Sequence, residues 1–217
     1  MRSEEVAHYL QNNPRFFEEH ADLIANVVVP HPHGGRTISI TERQMLALRD
    51  KNKQLTSKMG ELLQFGEEND AISEKMHRLA VGMIAARSFQ SVLHTLNFHL
   101  RDDFAVPHVA VRLWHRLDGS DELPEFADVS QELQTFAETL AQPYCGSTTG
   151  FETSSWFGEA STHVRSQGLI AMRNGGGTIG LIALGSEDGK RFYAGMGTIY
   201  LERLGEMASA ALARVLR

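Results

Sequence analysis

Apolar residues recur at heptad spacing in the first half of the chain, beginning at Met45. Successive members of this set are three or four residues apart, which keeps them on one side of a helix. The seam positions of the pattern are Met45, Leu48, Asn52, Leu55, Met59 and Leu62. Thr41 followed by Gln44 matches a capping box, and no proline occurs between Thr41 and Ala86. The pattern predicts one long helix over residues 41–87.

The apolar stripe of this helix is too narrow to stabilise it alone, so the helix needs a surface to pack against. We predict a coiled-coil homodimer, because Asn52 and Asn69 are polar seam positions of the kind that fix register between identical helices. The charges beside the seam leave parallel and antiparallel pairing open. From Leu62 to Phe65 the pattern takes a second consecutive step of three residues, a stammer that overwinds a supercoil. The alternative is that the stripe packs onto the chain's own globular domain.

Two short amphipathic helices are expected before the long helix, over residues 3–25. Pro14 interrupts their pattern and suits the first turn of a new helix, which predicts a helical hairpin. A stretch with two prolines and two glycines, residues 27–36, indicates a turn-rich linker. The first region of the chain is therefore residues 1–40.

The third region, residues 88–217, mixes helical and strand patterns. Elements of one kind are clustered rather than strictly alternating, which favours an antiparallel sheet with helices on its faces. The fold class that this predicts is α+β. The expected elements are a helix over 88–103, a strand over 108–117, a helix over 129–140, a hairpin of strands 168–172 and 178–184, and a closing helix over 198–216.

Charge and cysteine content exclude several classes of protein. The chain has 21 lysines and arginines against 27 acidic residues, a net charge of −6, whereas nucleic-acid binding needs a concentrated positive field. The single cysteine, Cys145, forbids an intrachain disulfide and indicates a reducing compartment. No apolar run reaches membrane-spanning length. We therefore expect a cytoplasmic protein that binds neither nucleic acid nor membrane.

Polar residues on the expected strands are the candidates for ligand binding. Strand alternation would bring some of them to one face, and guanidinium groups bind carboxylate or phosphate and stack on aromatic rings. Arg112, Trp114 and Arg173 are therefore expected to meet an anionic or aromatic small molecule. The alternative is that both arginines lie in water or in surface ion pairs.

The remaining motifs do not predict a functional site. Gly175-x-Gly177-x-x-Gly180 has the spacing of a dinucleotide fingerprint, but a strand pattern follows it where a helix is required. The histidines at 31 and 33 have no clustered co-ligands, so a solvated turn is expected instead of a metal site. Cys145 has no identifiable base beside it and is expected to be structural. No catalytic residue, metal site or cofactor is predicted.

Several motifs resemble known families. The order of elements from the long helix onward resembles a GAF domain, a small-ligand and signalling module. More closely, the chain resembles a bacterial family, the YigA-like domain of unknown function 484, over nearly its whole length. The motifs that carry this likeness include Tyr9-Leu10, Asn13-Pro14-x-Phe16-Phe17, Thr41-Glu42-Arg43-Gln44, Pro143-Tyr144-Cys145-Gly146 and Gly195-Met196-Gly197-Thr198. That family has no established activity, so the resemblance implies fold and dimerisation only.

The leading expectation is a non-enzymatic regulatory or sensory module, in which a GAF-like domain on a dimerising helix binds a small ligand that alters helix packing. The alternative is an interaction or scaffold protein with a vestigial pocket, which docks a partner through Phe16 and Phe17. A GAF-type methionine sulfoxide reductase is not favoured, because it would need a resolving thiol beside Cys145.

Overall fold

The computed structural model describes residues 2–30, 37–114 and 123–216. The chain divides into two compact units, Met1–Glu68 and Asn69–Arg217. The boundary between them falls inside the long helix α4, Ile40–Ala85. We refer to them as the first and the second unit. The domain boundaries expected after residues 40 and 87 stay predictions.

The first unit begins with three short helices where the sequence predicted two. They are α1 (Ser3–Asn12), α2 (Arg15–Glu19) and α3 (Ala21–Asn26). The chain leaves helical geometry at His20 as well as before Pro14, because His20 has φ −121° and ψ 39°. The segment 27–36, expected to be turn-rich, contributes strand β1 (Val28–Pro30), which pairs antiparallel with β2 (Thr37–Ser39). Consecutive valines favour this extended backbone. The histidines at 31 and 33 lie outside the described residues.

Helix α4 begins at Ile40, so Thr41 lies in its first turn rather than at the cap. In the first unit its apolar seam residues are 56–69% exposed; they are Met45, Leu48, Leu55, Met59 and Leu62. We call these five residues the exposed stripe. In the second unit the same pattern continues through Met76, Leu79 and Met83, which are buried. For this half of the helix, packing on the chain's own core is the correct alternative.

A four-stranded antiparallel sheet forms the centre of the second unit, in the order β3-β6-β5-β4. Its strands are β3 (His108–Leu113), β4 (Tyr144–Ser147), β5 (Ser166–Asn174) and β6 (Gly177–Ser186). The expected hairpin of β5 and β6 is confirmed, and Gly175 and Gly176 take positive φ at its turn. Strand β4 was not expected from the sequence. The predicted α+β class is confirmed.

Helices cover both faces of this sheet. On one, the α7 face, residues from the end of α4, from α5 (Phe89–Phe98) and from α7 (Ile199–Val215) form the larger apolar core. On the other, the α6 face, α6 (Gln131–Thr139) and a 3₁₀ segment, Glu152–Thr162, pack over Leu169, Leu181 and Ala183. The helices expected in the second unit were found within a few residues of their predicted bounds, and the one expected over 88–103 ends in a π-helical segment, His99–Asp103.

Close packing in the second unit depends on glycine at two positions. A Cβ on Gly180 of β6 would collide with the backbone carbonyl of Arg112 in the neighbouring strand. A Cβ on Gly205 of α7 would lie 2.6 Å from Ile170 Cγ2. Helix α7 also contacts the end of α4 through Arg214, which donates hydrogen bonds to the carbonyls of Met83, Ile84 and Ala86.

Candidate functional site

Arg112 and Trp114 lie on the α6 face of the sheet. Strand β3 alternates, so Val109, Val111 and Leu113 join the core on the α7 face while Ala110 and Trp114 pack on the opposite one. The half-buried Arg112 guanidinium lies over the ring of Trp156, 4.9 Å from its centroid. Its Nη1 donates to the carbonyl of Val111 at 3.0 Å.

Two buried donors at this place have no acceptor among the residues that the structure describes. They are Arg112 Nε and Trp114 Nε1. Burial lowers the pKa of the Arg112 guanidinium, and the charges of Glu125 and Glu152 oppose that effect. Buried donors without acceptors are costly, so a bound acceptor group would be favoured here. We call Arg112, Trp114 and Trp156 the arginine–tryptophan cluster.

Arg173, the third expected ligand residue, is not brought to this cluster. It lies on β5, which β6 separates from β3, next to an irregularity in register between Met172 and Arg173. Its Nη2 donates to the carbonyls of Ala137, Glu138 and Leu140, at the end of α6. A cation at this position satisfies the free carbonyls of a helix terminus. Arg173 therefore holds helix α6 in place.

A cavity of about 550 Å³ lies beside Arg173. Glu202 and Glu206 of α7 line it together with Arg173, the cation among its lining residues. Because that guanidinium is already committed to the α6 carbonyls, the balance of charge at this cavity is acidic. The cavity does not suit an anion.

A second cavity of about 550 Å³ lies on the α7 face and was not foreseen from the sequence. Its lining is mainly apolar, and Arg191 is the cation in it. The lining comes from four separate parts of the chain, so no local motif marks it. The one feature of the sequence that could have pointed to it is Arg191 beside Phe192, in a glycine-containing loop after β6. We call it the Arg191 cavity.

The family model described as Protein of unknown function, DUF484, matches residues 1–216. The chain belongs to this family. The expected membership is thus confirmed over the matched length, whereas the likeness to GAF domains stays a prediction. No curated protein matches the chain.

Three further features of this DUF484 chain bear on its chemistry. Cys145 lies on β4, where burial raises the pKa of its thiol, and no acidic or imidazole partner contacts it in the described residues. Across the same residues, no three histidine, cysteine or acidic side chains are grouped as metal ligands would be. No helix in the described parts of the chain is long and apolar enough to cross a membrane.

Proposed function

We propose that this DUF484 protein is a non-enzymatic regulatory module of the cytoplasm. It forms a homodimer through the exposed stripe of α4 and takes a small ligand on its GAF-like second unit. The observation that carries the proposal is the contrast within one helix. Met76, Leu79 and Met83 of the second unit are buried in a core, whereas the exposed stripe of the first unit leaves its apolar side chains in water.

The exposed stripe supports dimerisation by its area and spacing. Each of its side chains leaves more than half of its surface in water, and Leu63 and Phe65 add further exposed apolar area beside it. Contiguous apolar patches of this kind mark interaction sites, and heptad spacing suits a second α-helix with the same spacing. A second copy of this helix meets both requirements.

The arginine–tryptophan cluster supports the ligand part of the proposal. The Nε–H of Arg112 and the indole N–H of Trp114, which lack acceptors in the described residues, would pair with acceptors on a small molecule, and the Arg112 guanidinium over the Trp156 ring supplies a cation beside them. An anionic or aromatic ligand fits this chemistry. Arg173 would support such a ligand indirectly, by holding helix α6.

Sedimentation equilibrium of the whole chain tests the dimer. The unmodified protein should sediment as a dimer, and the double variant Leu48→Glu, Leu55→Glu should sediment as a monomer because it places like charges in an apolar seam. The double variant Ala47→Glu, Gln54→Glu is the matched control, since it adds the same two charges to exposed positions of α4 outside the seam and should leave the dimer intact. A monomeric unmodified protein would contradict the proposal.

Asn52→Leu tests register in the same assay. Removing a polar seam residue should strengthen the association and also admit higher oligomers, because a buried asparagine pair costs stability but penalises misaligned assemblies. If this variant were monomeric, the assignment of Asn52 to the dimer seam would be wrong.

Native mass spectrometry of protein purified from its own cells tests the ligand. The unmodified dimer should retain a small molecule, and Arg112→Met should lose it while keeping the aliphatic contact of the side chain. Arg173→Met is the comparison: it should lower the unfolding temperature through α6 and keep the ligand at the temperature of the measurement. If Arg112→Met retained the small molecule, the arginine–tryptophan cluster would not be its binding site.

The second candidate is an interaction protein. It is favoured by exposed apolar side chains on α1, α2 and α3, where Tyr9, Phe17 and Leu23 are 57%, 40% and 53% exposed. Under this alternative the same mass spectra would show an empty dimer or a complex with another protein.

A further inference from the structure

The Arg191 cavity lies among four parts of the second unit. Helix α4 forms one wall, the start of α7 another, residues 100–106 a third, and β6 with the segment after it the fourth. Its volume of about 550 Å³ is in the range of small-molecule sites. Most of its lining is apolar and includes Ile72, Met76, Phe104, Phe192 and Leu204.

Arg191 places an incompletely paired cation in this apolar setting. Its Nη2 donates to the carbonyl of Phe104 at 2.5 Å, and its guanidinium lies 5.7 Å from the ring centroid of Phe192. Its Nε is buried and has no hydrogen-bond partner among the residues that the structure describes. Nowhere in residues 2–30, 37–114 and 123–216 does a carboxylate form an ion pair with it.

A guanidinium in apolar surroundings is costly unless an anion or a full set of acceptors compensates it. The carbonyl of Phe104 supplies one neutral acceptor to the partly buried Arg191 and leaves its Nε without a partner in the described residues. An anionic acceptor at Nε would supply both the missing hydrogen bond and the missing charge. Asn69 and Tyr200 are the other polar side chains of the lining, and the Tyr200 hydroxyl already bonds with the Asn69 carbonyl and the Ser73 hydroxyl, both at 3.3 Å.

We propose that the Arg191 cavity binds a small monocarboxylate with an apolar body. Its carboxylate pairs with Arg191 Nε, and its body lies against the side chains of α4 and α7. A monoanion fits better than a phosphate, because the cavity lining offers one cation and few other donors. This site lies on the α7 face and goes beyond the proposed function, which uses the α6 face.

Isothermal titration calorimetry on the full chain tests this inference, with decanoate and 2-naphthoate as probes. The neutral comparison compounds are 1-decanol and 2-naphthylmethanol, which keep the apolar body and lack the charge. At least one acid should bind, and its alcohol should bind at least tenfold more weakly, which corresponds to about 1.4 kcal/mol. Failure of both acids to bind, or equal binding of acid and alcohol, would overturn the inference.

Two variants locate the site. Arg191→Met should weaken acid binding at least tenfold and leave alcohol binding unchanged. Lys190→Met is the matched control, because it removes the same charge from the preceding, exposed residue and should bind the acid normally. Equal losses in the two variants would overturn the inference. The comparison of acid with alcohol on the unmodified protein needs no variant, so it decides the matter even if Arg191→Met does not fold.

Arg112→Met separates this inference from the proposed function. It should lose the retained ligand of the arginine–tryptophan cluster and still bind the acid probe with unchanged affinity. Loss of probe binding in this variant would place the probe on the α6 face and refute the Arg191 site. A monomeric protein that binds the acid would refute the proposed dimer and leave the cavity assignment standing.

Discussion

Replacing Leu79 by alanine should destabilise the second unit by about 3–5 kcal/mol. Leu79 lies on α4, is fully buried and belongs to the core of the α7 face. Truncating a buried leucine removes its transfer free energy and leaves a cavity, and the two effects together cost about 2.7–5 kcal/mol. A domain is typically stable by about 5–15 kcal/mol, so this single change removes a large part of that stability.

Urea unfolding monitored by tryptophan emission measures this effect in the second unit alone. Trp114 and Trp156 are the two tryptophans of the sequence, and both lie in that unit. With a urea dependence of about 2 kcal/mol per molar, the loss corresponds to a midpoint about 1.5–2.5 M lower. If the variant and the unmodified protein have the same urea dependence, both expose the same surface on unfolding, and the shift in midpoint then measures the change in stability.

Ile84→Ala is the matched control for this prediction. Ile84 lies on the same helix and in the same unit, but it is 72% exposed. Its truncation removes little buried surface and improves helix propensity, so the midpoint should change by less than about 0.3 M. A Leu79→Ala midpoint within the same small range would refute the burial of α4 in the core of the α7 face.

Three further predictions concern the second unit. Burial raises the pKa of the Cys145 thiol, so an aromatic disulfide should react at least tenfold more slowly with native protein than with urea-unfolded protein; equal rates would contradict its burial. Hydrogen bonding, first from His99, lowers the pKa of Asp103. Its stabilisation is therefore present above the unfolded carboxyl pKa of about 3.9 and lost as the pH falls through the native pKa. Thermal melts of Asp103→Asn should show a deficit at pH 7 that shrinks towards pH 3, and a constant deficit would rule out this linkage. Gly180→Ala should cost about 1–3 kcal/mol in urea titrations because its Cβ meets backbone, whereas Gly197→Ala, which has open space, should change stability by less than about 0.5 kcal/mol; similar effects would contradict the close approach of the strands.

Periodicity predicted most of the second unit because its elements bury one face each. The helices α5, α6 and α7 carry apolar residues at helical spacing, and the β5–β6 turn carries adjacent glycines able to take positive φ. Strand β4 escaped prediction because Tyr144–Ser147 is short, contains a glycine and lies at the sheet edge, where only one neighbour selects its side chains. The additional helix break at His20 was not predicted because no proline or glycine lies at that position.

Site residues were harder to predict. Strand alternation predicts the face of the sheet on which a side chain lies, but it does not predict the hydrogen-bond partners of that side chain. Alternation correctly separated Arg112 and Trp114 from the core of the α7 face. The bonds of Arg173 to the end of α6 depend on how that helix packs, which no local pattern encodes. The Arg191 cavity joins Arg191 to Phe104, 87 positions earlier in the chain.

The end of α4 has a consequence for the order of folding events. A helix terminus leaves carbonyls without partners, and here Arg214 of α7 supplies donors to the carbonyls of Met83, Ile84 and Ala86, from about 130 positions further along the chain. Closing so long a loop costs entropy before any contact is made, and contacts of this separation slow folding. The last carbonyls of α4 therefore gain these donors only when α7 docks, and we expect the last turn of α4 and helix α7 to become protected from hydrogen exchange together.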